Sequence, residues 1–192
     1  MAATPASIPA SNGARRLRRR GRHRTDAPQP SRLIAEAKIE LIPMSSLERA
    51  ASELRPASSI SMTCSPAKSI EATLDESAAL IAAGHRVTPH ISARMVSDHD
   101  HLAAIHARLR ALRIRDIFVV GGDADPPGCF FDAIEFLDAF LALDDADGRG
   151  RRQIDHIGYT SYPDAPPLIT NAQLHEALHR KQEMILSTGR TA

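Results

Sequence analysis

Asp116-Ile117-Phe118-Val119-Val120-Gly121-Gly122-Asp123-Ala124-Asp125-Pro126-Pro127 is the stretch whose reading decides the fold. Ile117 to Val120 is an unbroken apolar run of β-branched and aromatic residues, the pattern of a short strand buried on both faces. Gly121 and Gly122 end it, allowing the backbone to turn sharply or a flat ligand to approach closely. Asp123 follows at the carboxyl end, and Pro126 and Pro127 stop any continuation. In parallel α/β folds, ligand-binding groups collect at that end of a strand. Taken alone, these residues describe a strand and an acidic turn. Their functional weight comes from similar strand ends elsewhere in the chain.

Toward the N-terminus, the apolar patterns predict strands over 37–43, 59–63 and 86–90. Between them lie helices over 47–54, which Ser45 or Ser46 can cap, and one carrying Ile70, Leu74, Ala78 and Ile81 that ends at Gly84. A helix over 98–112 presents Leu102, Ile105, Leu109 and Leu112 on one face. Toward the C-terminus follow a helix over 131–143, a polar run from Asp144 to Gly150, a strand over 154–162, a helix over 171–183 and a sixth strand over 184–188. Unbroken alternation implies a parallel sheet with right-handed crossovers. Six such units fit an open doubly wound sheet or most of a (β/α)₈ barrel. The Gly-x-Gly-x-x-Gly and Walker loops are both absent, which favours the TIM-barrel type with about six of its eight βα units.

The chain has 192 residues, 43% of them apolar, and a net charge of +1, as expected of a globular protein. The charge is unevenly placed. Arg15, Arg16, Arg18, Arg19, Arg20, Arg22 and Arg24 stand in a start without acids, and residues 26–192 then hold 17 basic against 23 acidic groups, a net −6. Residues 1–32 lack apolar periodicity and read as a disordered Arg-rich extension, leaving 33–192 as the folded domain. Such a start also resembles a transit peptide or an arm for nucleic acid, the lesser readings. No segment approaches the roughly 20 apolar residues of a membrane span. Cys64 and Cys129 are too few for a disulfide framework, so the expected compartment is reducing and cytoplasmic.

The groups at the strand ends are Glu40 within the first strand, then Thr63, His90, Asp123, and finally Tyr162 with Asp164. In a parallel barrel they would converge on one rim. An acid, an imidazole, hydroxyls and an aromatic ring around glycine backbone suit a flat, hydrogen-bonding ligand, and no pair of histidines is spaced to hold a metal. Each residue also has a structural reading. Glu40 alternates with Ile39 and Leu41, so it faces the barrel interior or is a solvated edge residue. His90 alone reads as a hydrogen-bonded core histidine, and Tyr162-Pro163 as a turn. His99, His101, His106, His175 and His179 fall on polar helix faces without a role.

Ile-Glu-Leu-Ile-Pro at 39–43, Ser-Met-Thr-Cys at 61–64, Val-Thr-Pro-His at 87–90, Val-Gly-Gly-Asp at 120–123, Ser-Tyr-Pro-Asp at 161–164 and Leu-His-Arg-Lys at 178–181 resemble, in order and spacing, the motifs of the methylenetetrahydrofolate reductase family, and more nearly its shorter bacterial members. The resemblance implies a (β/α)₈ barrel holding FAD at the carboxyl ends of its strands, NADH or NADPH as reductant and 5,10-methylenetetrahydrofolate as hydride acceptor. It implies that Glu40 is the general acid of the folate step, kept protonated by burial. Asp123 matches the acid beside the flavin and folate rings, and Thr63, His90, Gly122, Tyr162 and Lys181 match positions that hold FAD.

The chain departs from the family at Gly121, where arginine is usual, at Asp164, where glutamate is usual, and after Thr188, where a glutamine is expected. About two βα units are then expected to be missing, and the open edges of the first and sixth strands predict a chain that is either poorly soluble or associates through them. A catalytically inactive barrel that binds folate or a partner subunit is the alternative to an active flavoprotein.

Overall fold

The computed structural model describes residue 34 and residues 37–65, 67–146, 152–161 and 170–192. Contacts divide the chain into two units, Met1–Ala35 and Glu36–Ala192. The expected disorder of 1–32 and the residues Tyr162 and Asp164 lie outside the described residues.

In the second unit the apolar runs become strands β1 (Lys38–Leu41), β2 (Ser59–Met62), β3 (Arg86–Ser92), β4 (Asp116–Val120) and β5 (His156–Tyr159). All neighbours are parallel and the spatial order is β1-β2-β3-β4-β5, the order of the sequence. A doubly wound sheet reverses direction at a switch point and so carries its first strand in the middle. Here each strand is laid down beside the last, as in part of an α/β barrel.

Helices α1 (Leu47–Ser52), α2 (Ile70–Ala82), α3 (His99–Ala111), α4 (Ala133–Ala146) and α5 (Asn171–Ser187) alternate with the strands. Four begin with side-chain caps that satisfy otherwise unpaired N–H groups: Ser69 accepts from Ala72, Asp98 from His101, Asp132 from Ile134 and Glu135, and Thr170 forms a reciprocal capping box with Gln173. Ser46 stands at the start of α1 but makes no such bond, contrary to expectation. α2 stops at Gly84, whose φ of +90° costs a residue without Cβ little.

Alternation along the strands sorts the sheet into two faces. Ile91, Ile117, Val119 and Ile157 are fully buried with Leu74, Leu102, Ile105, Leu109, Phe136, Phe140 and Ile185 of the helices in the main core. Ile60, Met62 and Val87 pack with Leu47 and Leu80 in a second cluster. Ser61, His90 and Phe118 point the other way and belong to neither cluster. β4 is thus not buried on both faces as its apolar run suggested: Ile117 and Val119 are buried, Phe118 and Val120 only half-buried. Pro89 sits inside the central strand β3, and pairing with β4 begins just after it, at His90. The ring nitrogen has no hydrogen to donate to that ladder.

Two further expectations are corrected. Residues 184–188 form no strand, because α5 continues through Ser187. Met184, Ile185 and Leu186 satisfy either period, but only Ile185 is buried while Leu186 stays 48% exposed, as on a helix touching the core along one stripe. The chain next touches the sheet at Thr191, in a single parallel bridge to His156 of β5. His106 does not lie on a polar face either: it is buried, its Nε2 is 2.8 Å from Asp144 Oδ1, and its ring meets Phe140 edge-on.

Asp144 organises the region where the second correction falls. It also accepts from the amides of Gln153 and Ile154 and from Arg190 Nη2 at 2.7 Å. Arg190 in turn donates to the Ile154 carbonyl and to Asp145. A buried charge is tolerated only when paired and hydrogen-bonded, and this pair is both.

Candidate functional site

The face of the sheet on which no helix packs among the described residues, its helix-free face, carries the polar residues of the first three strands. Register places Glu40 beside Ser61 and Ser61 beside Thr88, and two residues further on His90 lies beside Phe118. Ser61 Oγ and His90 Nε2 are 2.8 Å apart, and Lys38 Nζ donates to Thr88 Oγ1 at 2.8 Å. The His90 ring lies 4.6 Å from that of Phe118 at 30°. Gly158 stands opposite Phe118, where a Cβ would come within 2.5 Å of the ring. Burial holds the His90 imidazole below its ordinary pKa, opposed by the nearby charge of Glu40 and aided by Lys38. It is a neutral ring at pH 7 with one nitrogen bonded to a serine hydroxyl.

At the carboxyl ends of β3 and β4 the backbone is close and one hydroxyl is spare. Gly122 has a φ of +86°, and a Cβ there would collide with Ser92 Oγ, so a larger residue would have to displace that hydroxyl. Ser92 Oγ is buried without a hydrogen-bond partner among the described residues. A Cβ on Gly121 would meet nothing within 4 Å. The loop beyond is held by Arg94, two residues past the end of β3: its Nε donates to the Ala124 carbonyl at 2.8 Å, Nη1 to the Phe131 carbonyl, and its guanidinium lies 5.1 Å over the Phe131 ring. Backbone bonds from Gly128 to Arg94 and from Cys129 to Val96 complete the tie. Sequence reading missed Arg94 because its partners are mainly backbone carbonyls, which no motif encodes.

The remaining expected site residues divide into those at the strand ends and those spent on structure. Thr63 directs its hydroxyl to the Leu41 carbonyl at 3.3 Å. Asp123 is exposed just beyond Gly122. Lys181 reaches back from α5 to the end of β5, donating to the Thr160 carbonyl at 2.8 Å and lying 5.2 Å over the Tyr159 ring. Burial lowers the pKa of this ammonium. Glu40 is exposed on β1, the solvated-edge alternative, so the described chain does not supply the burial its acid role requires. His101, placed on a polar face without a role, bridges helices by bonding Glu71 at 2.6 Å.

A cavity of about 980 Å³ lies away from all of these residues, between α1 and α2, and is lined by Leu47, Leu54, Ala79, Leu80 and His85 among others. It is unrelated to the strand ends. Among the described residues no three His, Cys, Asp or Glu side chains are grouped to hold a metal ion, and no helix is long and apolar enough to cross a membrane. Compared with the models of known protein families, the chain matches none.

Proposed function

We propose that this chain is an FAD-binding oxidoreductase domain of the methylenetetrahydrofolate reductase type, with the flavin on the helix-free face at the carboxyl ends of β2 to β5. The observation that carries the reading is the pairing of an unpartnered Ser92 hydroxyl with the Gly121-Gly122 backbone there, beside His90 and its serine. Close backbone, a spare hydroxyl and a neutral imidazole fit a flat heterocycle rich in acceptors and donors. When bound, FAD would relay hydride from NADH or NADPH to 5,10-methylenetetrahydrofolate.

The protein's own groups would then act as follows. His90, held by Ser61, offers its free ring nitrogen to the ligand, and Gly121, open on its Cβ side, leaves room for it. Asp123 would set the charge beside the ring, and Lys181 and Thr63 would border the flavin. Tyr162 is assigned to the same ligand by its motif. Glu40 holds the proton for the folate step, which requires the bound substrate or another strand to cover it.

Because Glu40 is exposed, a second reading stands beside the first: a binding domain that takes the ligand without turning it over. Absorbance of the purified chain after incubation with FAD and gel filtration tests both. A retained flavin spectrum, weakened about tenfold in apparent affinity by His90→Ala, is the expected result. A colourless protein that takes up no FAD overturns the flavoprotein reading. A flavin-loaded protein that neither oxidises NADH or NADPH with an artificial acceptor nor reduces the folate selects the second reading.

A further inference from the structure

Among the described residues, no strand pairs with the outer side of β1. One bond settles how that edge is built. The Thr63 amide donates to the Leu41 carbonyl at 2.9 Å, and Leu41 is in register with Met62. In a parallel ladder the N–H and C=O of one residue point to the same side, and the side alternates along the strand. Ile39 and Leu41 therefore bond toward β2, while Lys38 and Glu40 turn their backbone groups outward. These same two residues carry opposite charges and stand on the same, helix-free face.

We propose that this edge is an isologous interface between two copies of the chain, β1 pairing antiparallel with β1 of a second copy about a two-fold axis at Ile39. In that register Lys38 of each copy exchanges both backbone hydrogen bonds with Glu40 of the other, and Ile39 meets Ile39 in the close, non-hydrogen-bonded pair between them. Charge and backbone bonding disfavour the other registers. Sliding by two residues either way sets Lys38 against Lys38 or Glu40 against Glu40, and like charges directly opposite destabilise a sheet. Sliding by one residue leaves outward-facing groups opposite groups already bonded to β2. The bond from Lys38 to Thr88 uses one of the three ammonium hydrogens and leaves two.

Apolar groups beside the edge add to the contact. Ile39, Ile42 and Met44 are 37%, 54% and 55% exposed, more than their size favours in water. An interface built on four residues per strand is still small, so association is concentration-dependent. The inference needs no bound flavin, and it differs from the acid role given above in asking for Glu40 ionised, since a facing ammonium favours the carboxylate.

Sedimentation velocity of the full chain over a rising concentration series tests it. The wild type is expected to pass from monomer to dimer. Lys38→Glu and Glu40→Lys should each weaken association at least tenfold, and the double reversal Lys38→Glu/Glu40→Lys should restore it by recreating both opposite-charge pairs. Ile39→Cys in a Cys129→Ser background should form a disulfide dimer on mild oxidation, because a non-hydrogen-bonded pair has Cα atoms about 4.5 Å apart, within disulfide reach. A wild type that stays monomeric, a double reversal as weak as the single ones, or an Ile39→Cys chain that fails to crosslink while its circular dichroism is native would each overturn the proposal.

Discussion

His106 and Asp144 are bonded out of contact with water: Nε2 lies 2.8 Å from Oδ1, with 6% and 0% of the two side chains exposed. They are far apart in sequence and meet because α3 packs beside α4. Arg190, whose side chain is fully buried, closes the group from the C-terminal segment. Removing one partner of such a set leaves the others charged or polar without compensation.

Asp144→Ala is therefore expected to destabilise the protein by about 3–5 kcal/mol, the cost of stranding a buried charge. Arg190→Met should be milder, because it removes the charge together with its need for a partner. Urea unfolding of the two variants checks the order. A milder loss for Asp144→Ala would show that Arg190 is not held by it.

The same carboxylate makes stability fall in acid. Burial pushes the Asp144 pKa up, but bonds from His106, Arg190 and the amides of Gln153 and Ile154 outweigh it and hold the group well below the usual carboxylate range. A depressed folded pKa stabilises above the unfolded value of about 3.9 and loses that contribution as pH falls below it. Unfolding free energy should drop below about pH 4, with a shallower slope in Asp144→Asn. Some slope will remain, since Asp155, bonded by Arg115, and Glu71, bonded by Ser69, are lowered too.

His90 acts in a higher window. Its folded pKa lies below the unfolded value of about 6.5 because it is buried, so the unfolded chain takes up a proton first as pH falls. Its neutral form is favoured above that value, and stability declines on acidification from pH 7 toward 5. His90→Gln is expected to remove this decline while leaving the drop below pH 4 intact, measured by thermal unfolding across pH.

Gly122 and Gly84 separate backbone strain from crowding. Both have positive φ, but a Cβ at Gly84 meets nothing within 4 Å whereas one at Gly122 would collide with Ser92 Oγ. Gly84→Ala should cost about 1–2 kcal/mol from the left-handed backbone alone. Gly122→Ala should cost clearly more, and Ser92→Gly in the same chain should recover the excess. Equal costs in the two single variants would mean that the contact with Ser92 gives way freely.

Lys181 gains little stability from its charge, since burial opposes it and its one bonded partner is a backbone carbonyl. Lys181→Met keeps the volume and should change unfolding free energy by less than about 1.5 kcal/mol. If the ammonium serves an anionic ligand, the same variant should lose FAD retention. A large loss of stability with unchanged retention would make the residue structural.

The sequence by itself determined which segments are strands and helices over most of the second unit, because apolar residues recur with a period of two from Lys38 to Leu41 and of 3.6 along α2 and α3. It also determined that polar strand residues share a face, since Ser61, Thr88 and His90 alternate with buried neighbours. Tertiary structure alone decided the rest. Three apolar residues in a row at 184–186 satisfy either period, and only the stripe of α5 that meets the core shows it to be helix. His106 among arginines and Asp144 within an acidic run both look solvated, and burial came from each finding the other across two helices. Glu40 is exposed for the converse reason: alternation fixes the face a side chain takes, but whether that face is covered depends on what lies against it.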